Sequence, residues 1–343
     1  MYKILSIDGG GIRGIIPAMV LHEIEKRTGK PVSELFDLVA GTSTGGILAL
    51  GLTMPGEGGP RYTAEGMIKL YEDDGKRIFF RPWWYCLASV WGWLRPKFPR
   101  RGIDAVLGHF FQEIRLNEAL KDVIIASYDL ENRTPWFFKT IHAKNPVKIG
   151  HDVSMKDAAR ATSAAPSFFA PVKIPAAAEQ NYLSLVDGGM YANNPAMCAF
   201  VQAVKEGVER DDILVVSLGT GSATRPYPYK KARGWGRLGW ILPSLDVVFD
   251  GVSDTVDYQL KQILYTDDEN NRYYRFQVSL DHDYAGLDNA SARNIEKLKE
   301  KARGLIEEQD MVLDALSKTL VKESGFKRAI EDGSQKEAAA ARL

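Results

Sequence analysis

Gly41-Thr42-Ser43-Thr44-Gly45 lies between the apolar run Phe36-Asp37-Leu38-Val39-Ala40 and a second apolar stretch from Ile47 to Leu52. The first run reads as the end of a buried strand and the second as the start of a buried helix, so the residues between them must turn the chain sharply. A serine on such a turn stands its hydroxyl above the sheet. The flanking glycines are required because a Cβ there would strike neighbouring backbone. The helix start also aims backbone N–H groups toward the serine, which favours a developing negative charge. The competing reading is an ordinary Gly/Ser/Thr turn whose serine only caps the helix.

A second glycine turn opens the chain. Tyr2 to Ile7 reads as a first strand, Asp8-Gly9-Gly10-Gly11-Ile12-Arg13-Gly14 follows at once, and Ile16, Met19, Val20 and Ile24 then recur at helical spacing. Three consecutive glycines free the backbone to turn its N–H groups outward as a cradle for an anion. Beside a nucleophilic serine, such a cradle is an oxyanion hole for the tetrahedral intermediate of acyl transfer. Gly9, Gly11 and Gly14 also satisfy G-x-G-x-x-G, so a dinucleotide-binding loop is the alternative. Glu34 and Asp37 are near the right distance for a ribose-binding acid, but neither reads as the end of a second strand. No P-loop string occurs.

A serine nucleophile needs a base. Asp187-Gly188-Gly189 follows the apolar run Tyr182 to Val186, which puts Asp187 at a strand end beside residues that let another backbone approach. Burial there would raise its pKa and make it a better proton acceptor. The plain alternative is an Asp-Gly turn without chemistry. The chain has five histidines, and His282 alone follows Asp187, giving the order Ser43, Asp187, His282 of a triad. It lies in the polar segment Leu280-Asp281-His282-Asp283-Tyr284, which reads as a solvated turn. A Ser43–Asp187 dyad is therefore preferred.

Asp8-Gly9-Gly10-Gly11-Ile12-Arg13-Gly14, Gly41-Thr42-Ser43-Thr44-Gly45 and Asp187-Gly188-Gly189, in that order, resemble the signature of the patatin-like phospholipases, of the bacterial stand-alone type. Ala161-Thr162-Ser163-Ala164-Ala165-Pro166-Ser167-Phe168-Phe169 resembles the family's small-residue segment between nucleophile and aspartate. The match covers roughly the first two thirds of the chain. It implies a three-layer α/β fold with a central, mostly parallel sheet flanked by helices, and a serine lipid acyl hydrolase acting on membrane phospholipids. Ser43 would be the nucleophile and Asp187 its base. Gly9, Gly10, Gly11 and Arg13 would form the oxyanion hole, and no metal or other cofactor is implied. An inactive lipid-binding scaffold that keeps the fold is a further alternative.

Composition fits this reading. The 343 residues carry 44 basic and 44 acidic side chains, so no global basic field argues for a nucleic-acid duplex. Cys86 and Cys198 lack metal-ligand spacing and read as free thiols of a reducing compartment. The amino-terminal apolar run is too short for a signal peptide, and no run reaches the ~18 apolar residues of a spanning helix. A cytoplasmic protein that is peripheral on a membrane is expected. One catalytic domain is expected over residues 1–320, with an aromatic insertion at 78–102 and a helical C-terminal part, followed by a helical or frayed tail at 321–343.

The chain departs from the family pattern in two places. From Phe79 to Phe98 it carries Phe79, Phe80, Trp83, Trp84, Tyr85, Trp91, Trp93 and Phe98, framed by Arg81, Arg95 and Lys97. That composition suits a membrane interface. A buried aromatic cluster or a self-association surface are the alternatives. Tyr227 to Phe249, with Trp235, Trp240, Leu242 and Leu245 after Lys230-Lys231-Ala232-Arg233, suits another membrane contact, a homo-oligomer interface or a regulatory site. Some bacterial patatin-like enzymes are anti-phage effectors switched on by cyclic nucleotides. Nucleotide control is carried here from that resemblance, without a visible ligand motif.

Overall fold

Apolar residues on both faces of the first strand demand a place in the middle of a sheet. In β1 (Tyr2–Ile7), Leu5 and Ile7 enter one apolar core while Tyr2 and Ile4 enter a second on the opposite face. The computed structural model describes residues 1–88, 95–145, 151–175, 182–223, 226–264 and 271–322. After β1, the longer elements are α1 (Ile15–Thr28), β2 (Leu38–Thr42), α2 (Thr44–Leu52), α3 (Arg100–Phe111), β3 (Asp122–Asp129), β4 (Thr134–Lys139), α4 (Met155–Thr162), β5 (Val172–Pro175), β6 (Tyr182–Asp187), α5 (Ala196–Lys205), β7 (Ile213–Leu218), α6 (Arg237–Leu264), β8 (Tyr273–Phe276), α7 (Ala292–Glu308) and α8 (Asp310–Leu320).

Among the described residues these eight strands form one sheet in the order β8-β7-β1-β2-β3-β6-β5, with β4 also paired to β3. From β8 to β3 neighbours run parallel, whereas β4 and β6 meet β3 antiparallel and β5 meets β6 antiparallel. Helices α1, α2 and α7 contribute to the core on one face, and α5 with the end of α6 to the core on the other. This is the α/β arrangement expected, a mostly parallel sheet flanked by helices. Among the described residues, no helix is long and apolar enough to cross a membrane.

Register then positions the site. Thr42 of β2 is paired with Ala126 of β3, and Asp187 of β6 is paired with Ser127, the next residue of that strand. Residue 43 and Asp187, far apart in sequence, are thus delivered to the same height on one strand.

Several element boundaries differ from the sequence reading. Trp136 to Ile141 reads from the sequence as a strand, and the strand there is β4, two residues earlier. Its Pro135 is paired opposite Tyr128, as proline is tolerated at strand positions whose N–H faces away from the ladder. Asn193-Asn194-Pro195 reads from the sequence as a helix start with Pro195 in first position; Pro195 instead precedes the helix, and Asn194 Oδ1 accepts the Ala196 N–H at 3.0 Å. β8 was not anticipated, because four residues containing Arg275 carry too little apolar pattern to announce an edge strand. No disulfide joins Cys86 and Cys198. The frayed tail expected at the end lies, from residue 323, outside the described residues.

Candidate active site

The turn stores its strain at Ser43, whose φ of 54° and ψ of −123° lie outside the regions L-residues favour. Close packing of the elbow against β1 holds it there, since a Cβ on Gly45 would sit 2.1 Å from the Ile7 carbonyl oxygen. Ser43 makes no capping bond to α2. The plain capping reading therefore does not hold; Ser43 and Asp187 instead line one cleft, where the serine side chain helps to hold the Asp187 carboxyl pKa down. The Ser43 N–H donates to Thr162 Oγ1 at 2.8 Å, and that hydroxyl donates in turn to the Ala126 carbonyl at 2.5 Å.

Asp187 is 2% exposed. Its Oδ1 accepts the Gly189 N–H at 2.8 Å, and its own N–H donates to the Ala164 carbonyl at 3.1 Å. Residues 162 to 164 therefore hold the backbones of both Ser43 and Asp187. Burial pushes the carboxyl up to about 7, while the nearby Ser43 side chain and the Gly189 N–H act in the opposite direction. A carboxylate tuned near neutrality is a far better proton acceptor than a solvated one.

The glycine turn is held by its carbonyls. Thr220 Oγ1 donates to the Gly9 carbonyl at 2.6 Å. The Gly10 carbonyl accepts the Arg13 N–H at 3.2 Å and Arg13 Nε at 3.3 Å. In a trans peptide the C=O and the following N–H point in opposite directions. Tying back these two carbonyls therefore sends the N–H groups of Gly10 and Gly11 the other way. The amides of Gly9, Ile12 and Arg13 are bonded to Asn193, Leu287 and Gly10. Those of Gly10 and Gly11 have no partner among the described residues, and both glycines line the cleft that contains Ser43. Gly10 must lack a side chain, because a Cβ would fall 2.2 Å from Thr220 Oγ1. Arg13 also donates to the Ala285 carbonyl at 3.3 Å, so its guanidinium braces the turn with both of these bonds.

Asp8 has a structural partner. Arg275 clamps it in a buried two-pronged ion pair, with Nη1 at 3.0 Å from Oδ1 and Nη2 at 2.6 Å from Oδ2, while Nη1 also reaches Ser217 Oγ at 2.9 Å. The pair anchors the start of the glycine turn to β7 and β8.

Beyond the reacting groups the cleft is apolar. Ile12, Ile47, Leu70, Ile78, Phe79 and Phe249 are among its lining, and it holds about 810 Å³ of empty space with its open mouth included. A hydrocarbon chain suits those walls. No histidine lines it among the described residues. His22 lies in α1 and His109 in α3. His151 stacks on Trp136 and contacts His142. His282 begins a short 3₁₀ turn, His282–Tyr284, and its side chain is outside the described residues.

The dinucleotide reading loses its geometry. Asp37 stands before β2 and its Oδ2 accepts the Lys3 N–H at 2.8 Å, while Glu34 lies in the helical turn Val32–Leu35. Both are at the start of the strand, whereas a ribose-binding acid follows its end. The Leu287 carbonyl meanwhile approaches the turn, accepting Ile12 N–H at 2.8 Å.

The long aromatic segment divides in two. Phe98 is buried, and Phe79 and Phe168 lie against it, with ring centres 5.5 and 6.4 Å from its own. Phe80, Trp83 and Trp84 are exposed, and Trp91 and Trp93 lie outside the described residues. In the second departure, Trp235 contacts Tyr227 and Trp240, and Phe249 reaches the cleft. Leu242 and Leu245 have side chains outside the described residues.

Residues 5–200 match the family model described as patatin-like phospholipase. Among curated proteins, the chain is 29% identical to patatin-like protein 4 of Arabidopsis thaliana, over 90% of this chain and 84% of the other. It is 33% identical to patatin-like protein 2 of Oryza sativa subsp. indica, over 87% of this chain and 82% of the other. It is also 30% identical to a Solanum tuberosum protein named "Probable inactive patatin-3-Kuras 1", over 89% and 86%. The chain belongs to the patatin-like phospholipases, a family of serine lipid acyl hydrolases.

Proposed function

We propose that this protein hydrolyses fatty-acyl esters of membrane phospholipids with a Ser43–Asp187 dyad. The observation that carries the reading is that Ser43 and Asp187 meet at the head of one apolar cleft, beside the Gly10 and Gly11 amides, which have no partner among the described residues. Asp187 takes the Ser43 proton as the oxygen attacks the ester carbonyl. The negative charge that develops on the carbonyl oxygen is met by the N–H groups of Gly10 and Gly11. Arg13 and Thr220 keep those amides aimed by gripping the carbonyls behind them. The acyl chain lies along the apolar walls, the alcohol leaves with a proton, and an acyl-serine remains. Water activated by the same carboxylate then releases the fatty acid. The enzyme works as a peripheral protein at the lipid surface. Control by a cyclic nucleotide rests on resemblance alone, and assaying with and without cyclic oligonucleotides tests it.

The experiment is fatty-acid release from defined phospholipids, combined with fluorophosphonate labelling and mapping of the labelled peptide. Labelling at Ser43 with release of free fatty acid is expected; a folded protein that does neither is a scaffold, and the reading fails. Replacing His282 by Ala should leave kcat within about twofold, because a dyad has no imidazole to lose. A loss of the size seen when a triad member is removed, roughly 10⁴-fold or more, would restore the triad.

Thr220→Val keeps side-chain volume but releases the Gly9 carbonyl. Removing one oxyanion donor outright costs about 10²–10³ in kcat, so misaiming the Gly10 amide should cost about 10- to 100-fold, with KM little changed. Thr220→Ser should recover most of it. Steady-state kinetics on one phospholipid checks this, and an unchanged kcat in the valine variant contradicts the positioning role.

A further inference from the structure

Phe79 lines the cleft, and from the next residue the chain carries its largest aromatic side chains outward: Phe80 is 61% exposed, Trp83 75% and Trp84 57%. The short helix Trp83–Ala88 that bears the two indoles is tied to the returning chain by Tyr85, whose hydroxyl donates to the Pro96 carbonyl at 3.0 Å. Phe98, two residues beyond, is buried against Phe79 and Phe168. The exposed aromatics are therefore anchored at both ends to the wall of the acyl cleft.

Charge separates the kinds of partner that such a face fits. The chain as a whole is neutral, yet between Lys76 and Lys97 it carries Lys76, Arg77, Arg81, Arg95 and Lys97 and no acidic residue. Arg77 is paired with Asp74 and Lys97 with Asp288. Lys76, Arg81 and Arg95 have no carboxylate partner among the described residues. Of the acids just before the stretch, Glu72 is paired with Lys299, and Asp73 is exposed. Exposed indoles, in a stretch whose Lys76, Arg81 and Arg95 lack a carboxylate partner among the described residues, match the headgroup region of a bilayer, where rings settle at the interface and cations meet phosphates. A neutral surface would use the rings alone. An anionic one uses both, and each basic side chain near it strengthens binding roughly fivefold.

We propose that Phe80, Trp83 and Trp84, with Lys76, Arg81 and Arg95, form a docking face for bilayers that contain anionic phospholipid, adjoining the cleft so that docking brings an acyl ester to Ser43. This deepens the hydrolase reading and rests on it for its purpose, but docking is measured separately from hydrolysis.

The test is co-sedimentation of the full chain with vesicles of phosphatidylcholine alone and of phosphatidylcholine mixed with phosphatidylglycerol, at low and high salt. Wild type should bind the mixed vesicles more than tenfold better, and added salt should erase most of that difference. Arg81→Glu with Arg95→Glu should cut binding to mixed vesicles by at least about 25-fold, the product of two fivefold contributions. Trp83→Ser with Trp84→Ser should weaken binding to both vesicle types. Hydrolysis of a monomeric short-chain ester in solution should be unchanged in both variants, which also reports that they are folded. Equal binding of wild type to the two vesicle types overturns the proposal, as does unaltered binding by either double variant. If Trp83→Ser with Trp84→Ser instead converts a dimer to a monomer in light scattering and leaves vesicle binding intact, the face joins two copies and the proposal fails. Loss of the soluble-ester reaction in wild type counts against the hydrolase reading and leaves the vesicle result standing.

Discussion

Ser43→Ala should abolish ester hydrolysis, lowering kcat by roughly 10⁴- to 10⁶-fold, the range seen when the nucleophile of a hydrolase is removed. The size follows from the route: without the hydroxyl there is no acyl-serine, and only the aligned amides and the cleft remain to assist direct attack by water. Fluorophosphonate labelling should vanish together with fatty-acid release. The fold should persist, because alanine is smaller than serine and the elbow is held by Thr162, which bonds the residue-43 N–H rather than its side chain. Circular dichroism matching wild type alongside lost turnover is the expected pair of results. A folded alanine variant that still releases fatty acid at more than about a hundredth of the wild-type rate would remove Ser43 from the mechanism.

Asp187→Asn should be nearly as damaging, roughly 10⁴-fold or more in kcat, since no second base lines the cleft among the described residues to take the serine proton. Its pH behaviour is more specific still. With the carboxyl pushed up to about 7, wild-type activity should rise as pH passes through neutrality and level off above it. Stability should move the other way. The folded-state value lies above the unfolded one, near 3.8, so between them the folded state binds more proton than the unfolded state. The folded state therefore loses stability as pH rises from about 4 to about 7, reaching a full cost on the order of 4 kcal/mol for a shift of about three units. The asparagine variant, which never ionises, is spared that cost. Its melting temperature should exceed that of wild type clearly at pH 8 and converge with it near pH 4. Parallel melting curves of the two proteins across that range would show that Asp187 is not the perturbed group.

The sequence alone announced both turns. Gly45 and Gly10 are dictated by contacts that forbid a Cβ, and such positions are visible as glycine wherever the chain is read. Ser43 and Asp187 stood out because each follows an apolar run and has glycine close by. The strand Tyr2–Ile7 was equally plain, being a mostly apolar run of the length that a buried strand needs.

Thr162 and Thr220 had no such signature. Each acts through one hydroxyl on a carbonyl or amide far away in sequence, and an isolated threonine looks alike whether it faces solvent or grips a turn. Asp8 was conspicuous beside the glycines, but its reason was Arg275, 267 residues later on an edge strand too short to be recognised by pattern. The aromatic run likewise reads as one block, and tertiary packing divides it between a cleft wall and an exposed face. What the residue order determined by itself was local: where the chain must turn, where strands must be buried, and which side chains stand at those turns. Which of those turns meet was decided by strand register, which pairs Thr42 and Asp187 with adjacent residues of a third strand. Register belongs to the assembled sheet, because it is set by complementary packing on both faces at once rather than by any single segment.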